Sequence, residues 1–397
     1  MASGIYEPIV QELVNKISAE KDWLTWFEQA VQYAVAQAPK DMQGIESLGD
    51  FYTYINGLLK WVPFEEGSEG REIYKKLCLF YFIFGRESVY PLQTPITPET
   101  ANGTLSWLSD WLVRYAQEAG KFMDTSESFT PESLASFRNA LNYNMGDYIE
   151  PHGGWKTFNH FFARNTKPGY RPIASIGDPN VIASPADSTF EDQWPVDSDS
   201  VITIKTIPWT ISELLKDSAF KDEFRGGIFM HAFLKPNDYH RLHTPVGGKV
   251  LEAKVIPGQV YLEVTVDDNG KLQPIRHVHP PHGRHPRYPS RKGDLRDLDA
   301  PNTAGYQFCQ MRGLFVLDTQ IGLVAVLPIG MAQVSSVIPT AEEGRTLHKG
   351  EELAYFQFGG SDIVLVFQRN SGVNITAKHG VHYKMGEQIG TAKPIPR

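Results

Sequence analysis

A serine follows two glycines at Gly359-Gly360-Ser361, between the apolar segments Leu353–Phe356 and Ile363–Phe367. The flanks read as half-buried strands, and the glycines allow a sharp bend or a close approach where a Cβ would obstruct it. A hydroxyl at such a bend is a candidate nucleophile, but a weak one until a base takes its proton and a third group orients that base. The candidate bases are His240 and His243, in Lys235-Pro236-Asn237-Asp238-Tyr239-His240-Arg241-Leu242-His243-Thr244-Pro245, and the candidate acid is Asp187, in Ser184-Pro185-Ala186-Asp187. Each also has an ordinary reading. A Gly-Gly-Ser triplet can be a turn, Asp187 can cap one, the histidines can be hydrogen-bonded core or surface groups, and Arg164 with Lys167 can form a solvated basic edge. If the histidine block is a strand, His240 and His243 point to opposite faces; if it is a helical turn, they share one. A shared face would also suit zinc, although no Glu follows as in His-Glu-x-x-His.

These residues are distant in the chain, so the elements between them must bring them together. From Ile5 to about Tyr143 apolar residues recur at helical spacing, as in Ile9, Leu13, Ile17 and in Trp23, Phe27, Ala30, Val31, Ala34. Further helices are expected at about 47–61, 72–84, 105–122 and 131–141, with Ser47 as an N-cap and Thr130-Pro131 as a helix start. The aromatic stripes of this half read as core. After Tyr143, Gly and Pro punctuate short β-branched runs at 201–205, 250–266, 314–318, 323–327 and 334–338, which alternate as strands do. The resulting fold class is α+β: an all-helical N-terminal domain, residues 1–148, followed by a β-rich, mainly antiparallel unit, residues 149–397. The stretch 276–287 carries His277, His279, His282 and His285, three of them beside prolines and none interleaved with a carboxylate or thiol, and reads as a solvated insertion.

Composition narrows the function. A chain of 397 residues with 41% hydrophobic and 21% charged residues has ample material for a core. A net charge of −8 argues against nucleic acid as a partner and against adhesion to anionic lipid through charge alone, leaving a local peripheral lipid contact open. Cys78 and Cys309 lie in apolar surroundings and read as buried thiols. The N-terminus lacks the pattern of a signal peptide, and the longest apolar run, Leu77–Phe84, is far short of the roughly 20 residues a spanning helix needs, so a cytoplasmic protein is expected.

Four blocks taken in order carry a resemblance: the Phe-rich segment ending Lys167-Pro168-Gly169-Tyr170-Arg171-Pro172-Ile173, Pro185-Ala186-Asp187, Asp238-Tyr239-His240-Arg241-Leu242-His243-Thr244-Pro245, and Gly360-Ser361. From about Trp155 to the C-terminus the chain resembles the phosphatidylserine decarboxylase family. The resemblance implies a proenzyme that cleaves itself between Gly360 and Ser361. Ser361 would attack the Gly360 carbonyl, and β-elimination and hydrolysis would leave a covalent pyruvoyl cofactor at residue 361. His243 is the expected base for that step and Asp187 its orienting acid. The pyruvoyl carbonyl would then hold a substrate amine as a Schiff base and draw electrons as CO2 leaves, with His240 as the expected proton donor. The cleaved subunits would stay associated, and no metal is called for.

Two departures stand out. Family members have Gly-Ser-Thr at the junction, whereas Asp362 here would place a carboxylate beside the future pyruvoyl, slowing maturation or binding a substrate ammonium; and Gln310-Met311-Arg312-Gly313 replaces an Asn-Glu-Arg block. With a helical domain in place of a membrane anchor, the layout resembles the branch that includes fungal tryptophan decarboxylases. The expected substrate is therefore a free aromatic L-amino acid, with phosphatidylserine as the alternative and a non-maturing binding homologue as the second alternative.

Overall fold

The computed structural model describes residues 6–204, 207–275, 305–332, 336–358 and 360–393. The histidine-rich stretch 276–287 lies outside them, as do Gly359 and residues 333–335. The N-terminal part is helical: α1 (Pro8–Ala19), α2 (Lys21–Gln37), α3 (Leu48–Leu58), α4 (Glu72–Phe84), α5 (Trp107–Met123) and α6 (Pro131–Asn139). Their starts follow local chemistry. Ser47 makes a capping box with Asp50, and Ser106 and Thr130 accept from the backbone of Ser109 and Ser133. In α1 a single stripe is buried, Ile9, Val10, Leu13 and Ile17, whereas α4 is buried all round from Leu77 to Phe84. An all-round apolar run fits a helix enclosed on every side. Trp111 and Tyr115 fill the same core and donate their polar ends to the carbonyls of Ile9 and Ile55.

The β-rich part is built on an eight-stranded sheet. In spatial order its strands are Thr346–Leu347, Gly248–Ile256, Arg312–Thr319, Gly322–Met331, Gly360–Phe367, Ile228–Leu234, Ser188–Pro195 and His382–Tyr383, and every neighbouring pair is antiparallel. The α+β expectation therefore holds. The run 250–266 divides into Gly248–Ile256 and Glu263–Val266, and only Val337–Pro339 of the expected 334–338 strand is described as such.

Each sheet face has its own core. Phe229, Val316, Val364 and Val366 join the helices in one cluster, while Met230, Phe315, Ile363, Leu365 and Phe367 form the other with residues of the 129–162 segment. The strand Gly360–Phe367, the junction strand, is internal, paired on one side with Gly322–Met331 and on the other with Ile228–Leu234. Side chains alternate across a strand, so Ser361 shares a face with Ile363 while Asp362 shares the opposite one with Val364. A small second sheet joins Val337–Pro339, Glu352–Phe356 and Arg241–His243, so the histidine block is a strand rather than a helical turn.

Candidate active site

Ser361 is the second residue of the junction strand, opposite Gly330 and Leu234, and is 1% exposed. Its Oγ lies 3.3 Å from Nδ1 of His240. His240 follows a tight turn in which Asp238 folds back on Lys235, its carboxylate accepting from the Lys235 amide at 2.7 Å and its amide donating to the Lys235 carbonyl at 3.0 Å. Nε2 of His240 is 3.3 Å from the Pro236 carbonyl, which only a protonated Nε2 can satisfy. Nδ1 is then left with its lone pair towards the Ser361 hydroxyl. The ring is completely buried, stacked on Phe162 at 3.9 Å between centroids and met edge-on by Phe356. Burial first, and the charge of Arg164 second, push its pKa down to about 3. The imidazole is therefore neutral at ordinary pH and able to accept a proton as it stands.

Phe162 ends the short helix α7 (Phe158–Phe162), capped by Thr157. Asn159 of that helix accepts the Phe358 amide at 2.9 Å, holding the chain just before the junction, and the Phe358 ring meets Phe158 and Phe162 edge-on.

His243 and Asp187 are placed differently from the expectation. As the strand geometry requires, His243 points away from His240. Its Nδ1 is 2.8 Å from the Gly350 carbonyl and its Nε2 3.0 Å from the Tyr239 hydroxyl, so Nδ1 donates and Nε2 accepts. No hydrogen bond joins it to Ser361 or to Asp187 in the described arrangement. Burial, its leading perturbation, lowers the His243 pKa as well. Asp187, 3% exposed, is held by Arg171 through Nε at 2.8 Å and Nη2 at 2.5 Å, and also accepts the Met385 amide. A bidentate guanidinium is a far stronger partner for a buried carboxylate than a neutral imidazole. The structure thus brings together Ser361, Gly360 and His240, and sets His243 and Asp187 in a neighbouring layer.

Two further expectations are corrected. Arg164 is no solvated edge; it is 1% exposed, with Nη2 donating to the carbonyl of Asn237 at 2.8 Å. Asp362 does not stand beside Ser361. Its carboxylate lies on the opposite face, fully buried, accepting from the Tyr306 hydroxyl and 3.0 Å from Nε2 of His231. Asp362→Ala is expected to strip both groups of a partner and to lower stability by about 1–3 kcal/mol in urea unfolding, while cleavage at the junction still goes to completion.

Arg171, Tyr239, His231 and Tyr306 received no role from sequence reasoning. Arg171 and Tyr239 sit inside the blocks that carry the resemblance, and that proximity was the available signal. His231 and Tyr306 have none, because only strand pairing and packing bring them to Asp362.

The chain matches the family described as phosphatidylserine decarboxylase over residues 158–391. It is similar to phosphatidylserine decarboxylase proenzyme 3 of Schizosaccharomyces pombe, 31% identical over 267 residues, a match covering 65% of this chain and 24% of the yeast protein. It is 30% identical to phosphatidylserine decarboxylase proenzyme 2 of Oryza sativa subsp. japonica, over 66% of this chain and 38% of the rice protein. The phosphatidylserine decarboxylase proenzyme of Fusobacterium nucleatum is 29% identical over 72% of this chain and 84% of its own length. The chain therefore spans a minor part of the yeast and rice relatives and most of the bacterial one.

Proposed function

Because the chain belongs to the phosphatidylserine decarboxylase family, we propose that it is a self-processing, pyruvoyl-dependent carboxy-lyase whose residues 149–397 form the catalytic unit and residues 1–148 a helical accessory layer. The observation that carries the reading is the Ser361 hydroxyl set against the unprotonated Nδ1 of a neutral, buried His240, in a strand that begins at Gly360. In the first step His240 takes the hydroxyl proton as Oγ attacks the Gly360 carbonyl carbon. The Gly360–Ser361 C–N bond breaks, an ester forms, and the proton passes to the leaving amine. Loss of the Ser361 Cα proton then expels Gly360 as a carboxylate, and hydrolysis with release of ammonia leaves the pyruvoyl carbonyl at residue 361. His240 here takes the base role expected of His243, since His243 and Asp187 are engaged elsewhere.

Once formed, the pyruvoyl group would take up a primary amine and accept the electron pair left as CO2 departs. The surroundings of Ser361 suit it: the apolar rings of Phe162, Phe356 and Phe358 line the reacting carbon, and Nδ1 of His240 would relay to that carbon the proton, drawn from the substrate ammonium or solvent, that replaces CO2. After cleavage the small subunit keeps its place because its first strand is internal to the sheet, registered against Gly322–Met331 and Ile228–Leu234. A cavity of about 460 Å3 between the helical layer and the turn before His240, lined by Glu65, Arg71, Tyr143, Phe233 and Lys235 among others, is the proposed approach for the distal part of the substrate.

For the substrate, the names of the relatives favour phosphatidylserine over the free aromatic amino acid of the first expectation. The aromatic reading retains one supporting observation, the ring cluster of Phe158, Phe162 and Phe358 beside the junction. Among the described residues no helix is long and apolar enough to cross a membrane. The purified protein is expected to run as two pieces on a denaturing gel, the smaller with a blocked N-terminus carrying a carbonyl, and to release CO2 from phosphatidylserine vesicles faster than from tryptophan, tyrosine or phenylalanine. A persistent single chain without activity overturns the enzyme reading. Cleavage with activity on the free aromatic amino acids alone overturns the lipid reading only.

A further inference from the structure

The side chain of Arg164 is the least explained charge near the site. It is 1% exposed, yet no carboxylate pairs with it among the described residues. Nη2 donates to the carbonyls of Asn237 at 2.8 Å and Asp238 at 3.3 Å, while among the described residues Nε and Nη1 meet no acceptor in good hydrogen-bond geometry, the Tyr148 side chain lying beside the guanidinium. Its guanidinium carbon lies 4.1 Å from the Tyr148 ring centroid and 5.2 Å from that of Phe161, contacts that offset part of the lost hydration. A buried cation without a counter-charge is expensive, and an apolar side chain of the same size would pack there at less cost. Stability therefore gives no account of an arginine here.

Its position does. The two carbonyls it grips belong to the turn that ends in His240, and the same turn supplies the Pro236 carbonyl that fixes the His240 tautomer. We propose that Arg164 is a positioning residue for the His240–Ser361 pair, clamping the turn that aims Nδ1 at the hydroxyl. This rests on the self-cleavage proposed above. The other charged groups around His240 are committed or distant from it in effect: Asp238 is paired with His382 at 3.0 Å, Arg241 with Glu352 at 2.7 Å, and Lys235 is exposed. The junction strand contributes Ser361, and its Asp362 lies on the far face of the sheet. The charge of Arg164 lowers the His240 pKa, in the same direction as burial.

Clamp and charge can be separated in the full chain. Synthesis in a cell-free system at a series of pH values, followed on denaturing gels, gives the cleavage rate of wild type, R164K, R164Q and R164M, with thermal melting of each as the control. The wild-type rate is expected to stay level as pH falls to about 5.5, because His240 remains neutral. R164K keeps the charge and loses the fork, so it should retain the level profile with a rate reduced about threefold. R164Q and R164M lose charge and fork together and should cleave at least about tenfold more slowly at pH 7.5, a loss that R164K largely relieves, while melting within a few degrees of wild type. R164M and R164Q cleaving with the wild-type rate and profile overturn the proposal. So does a loss of rate that follows a lower melting temperature and is not relieved in R164K. A wild-type chain that never cleaves removes the underlying reading instead, so the two failures are told apart.

Discussion

Ser361→Ala is expected to leave the protein as a single chain under every condition in which the wild type separates into two pieces, with no release of CO2 from any substrate. The hydroxyl is the only part of the residue that can form the ester, and the same Cβ–O bond must break to generate the carbonyl, so one substitution removes both cleavage and cofactor. The fold should survive. Ser361 is buried with a single side-chain hydrogen bond, to His240, and its strand is held by backbone pairing on both sides that alanine does not disturb. Losing that bond costs about 1 kcal/mol. Intact mass and a melting curve together check the prediction: an uncut chain that melts near the wild-type temperature supports it, and an alanine variant that still separates at residue 361 removes Ser361 from the chemistry.

The second large effect distinguishes the two histidines. His240→Ala should slow cleavage by about 10²–10⁴, the range typical of losing a positioned general base, whereas His243→Ala should slow it by less than about tenfold. The geometry behind this is the 3.3 Å contact from Ser361 to His240, set against the separate bonds of His243 to Gly350 and Tyr239. Both substitutions open space in a packed layer, so each is compared with its own glutamine variant, which fills more of the volume but cannot act as a base. Time courses of newly synthesised chains on denaturing gels give the rates. The reverse pattern, with His243 variants uncut and His240 variants processed, returns the base role to His243 and implies a local rearrangement that brings it to Ser361.

Much of this protein is legible in its amino-acid order because the signals are local. A stripe at helical spacing announces α1, and Ser47 and Thr130 announce the starts of α3 and α6, since a cap or an apolar face depends on residues within a few positions. The blocks around Arg171, Asp187, His240 and Ser361 likewise identify the family without a structure, because each is a short run of specific types. What those runs leave open is which partner each group meets. Spacing shows that His240 and His243 diverge on a strand, but which of them faces the serine depends on how Arg241–His243 and Gly360–Phe367 sit relative to Phe162 and Phe356. Asp187 and His243 look like a pair until Arg171 takes the carboxylate from the other side. Asp362 looks like a charge beside the reacting centre until strand alternation and the pairing with Ile228–Leu234 carry it through the sheet to Tyr306 and His231. The sequence by itself determined the main elements, the family and the serine proposed as nucleophile. The tertiary structure decided which histidine meets Ser361, the partners of Asp187 and Asp362 and the face on which Asp362 lies, because those depend on contacts between segments far apart in the chain, which no local pattern encodes.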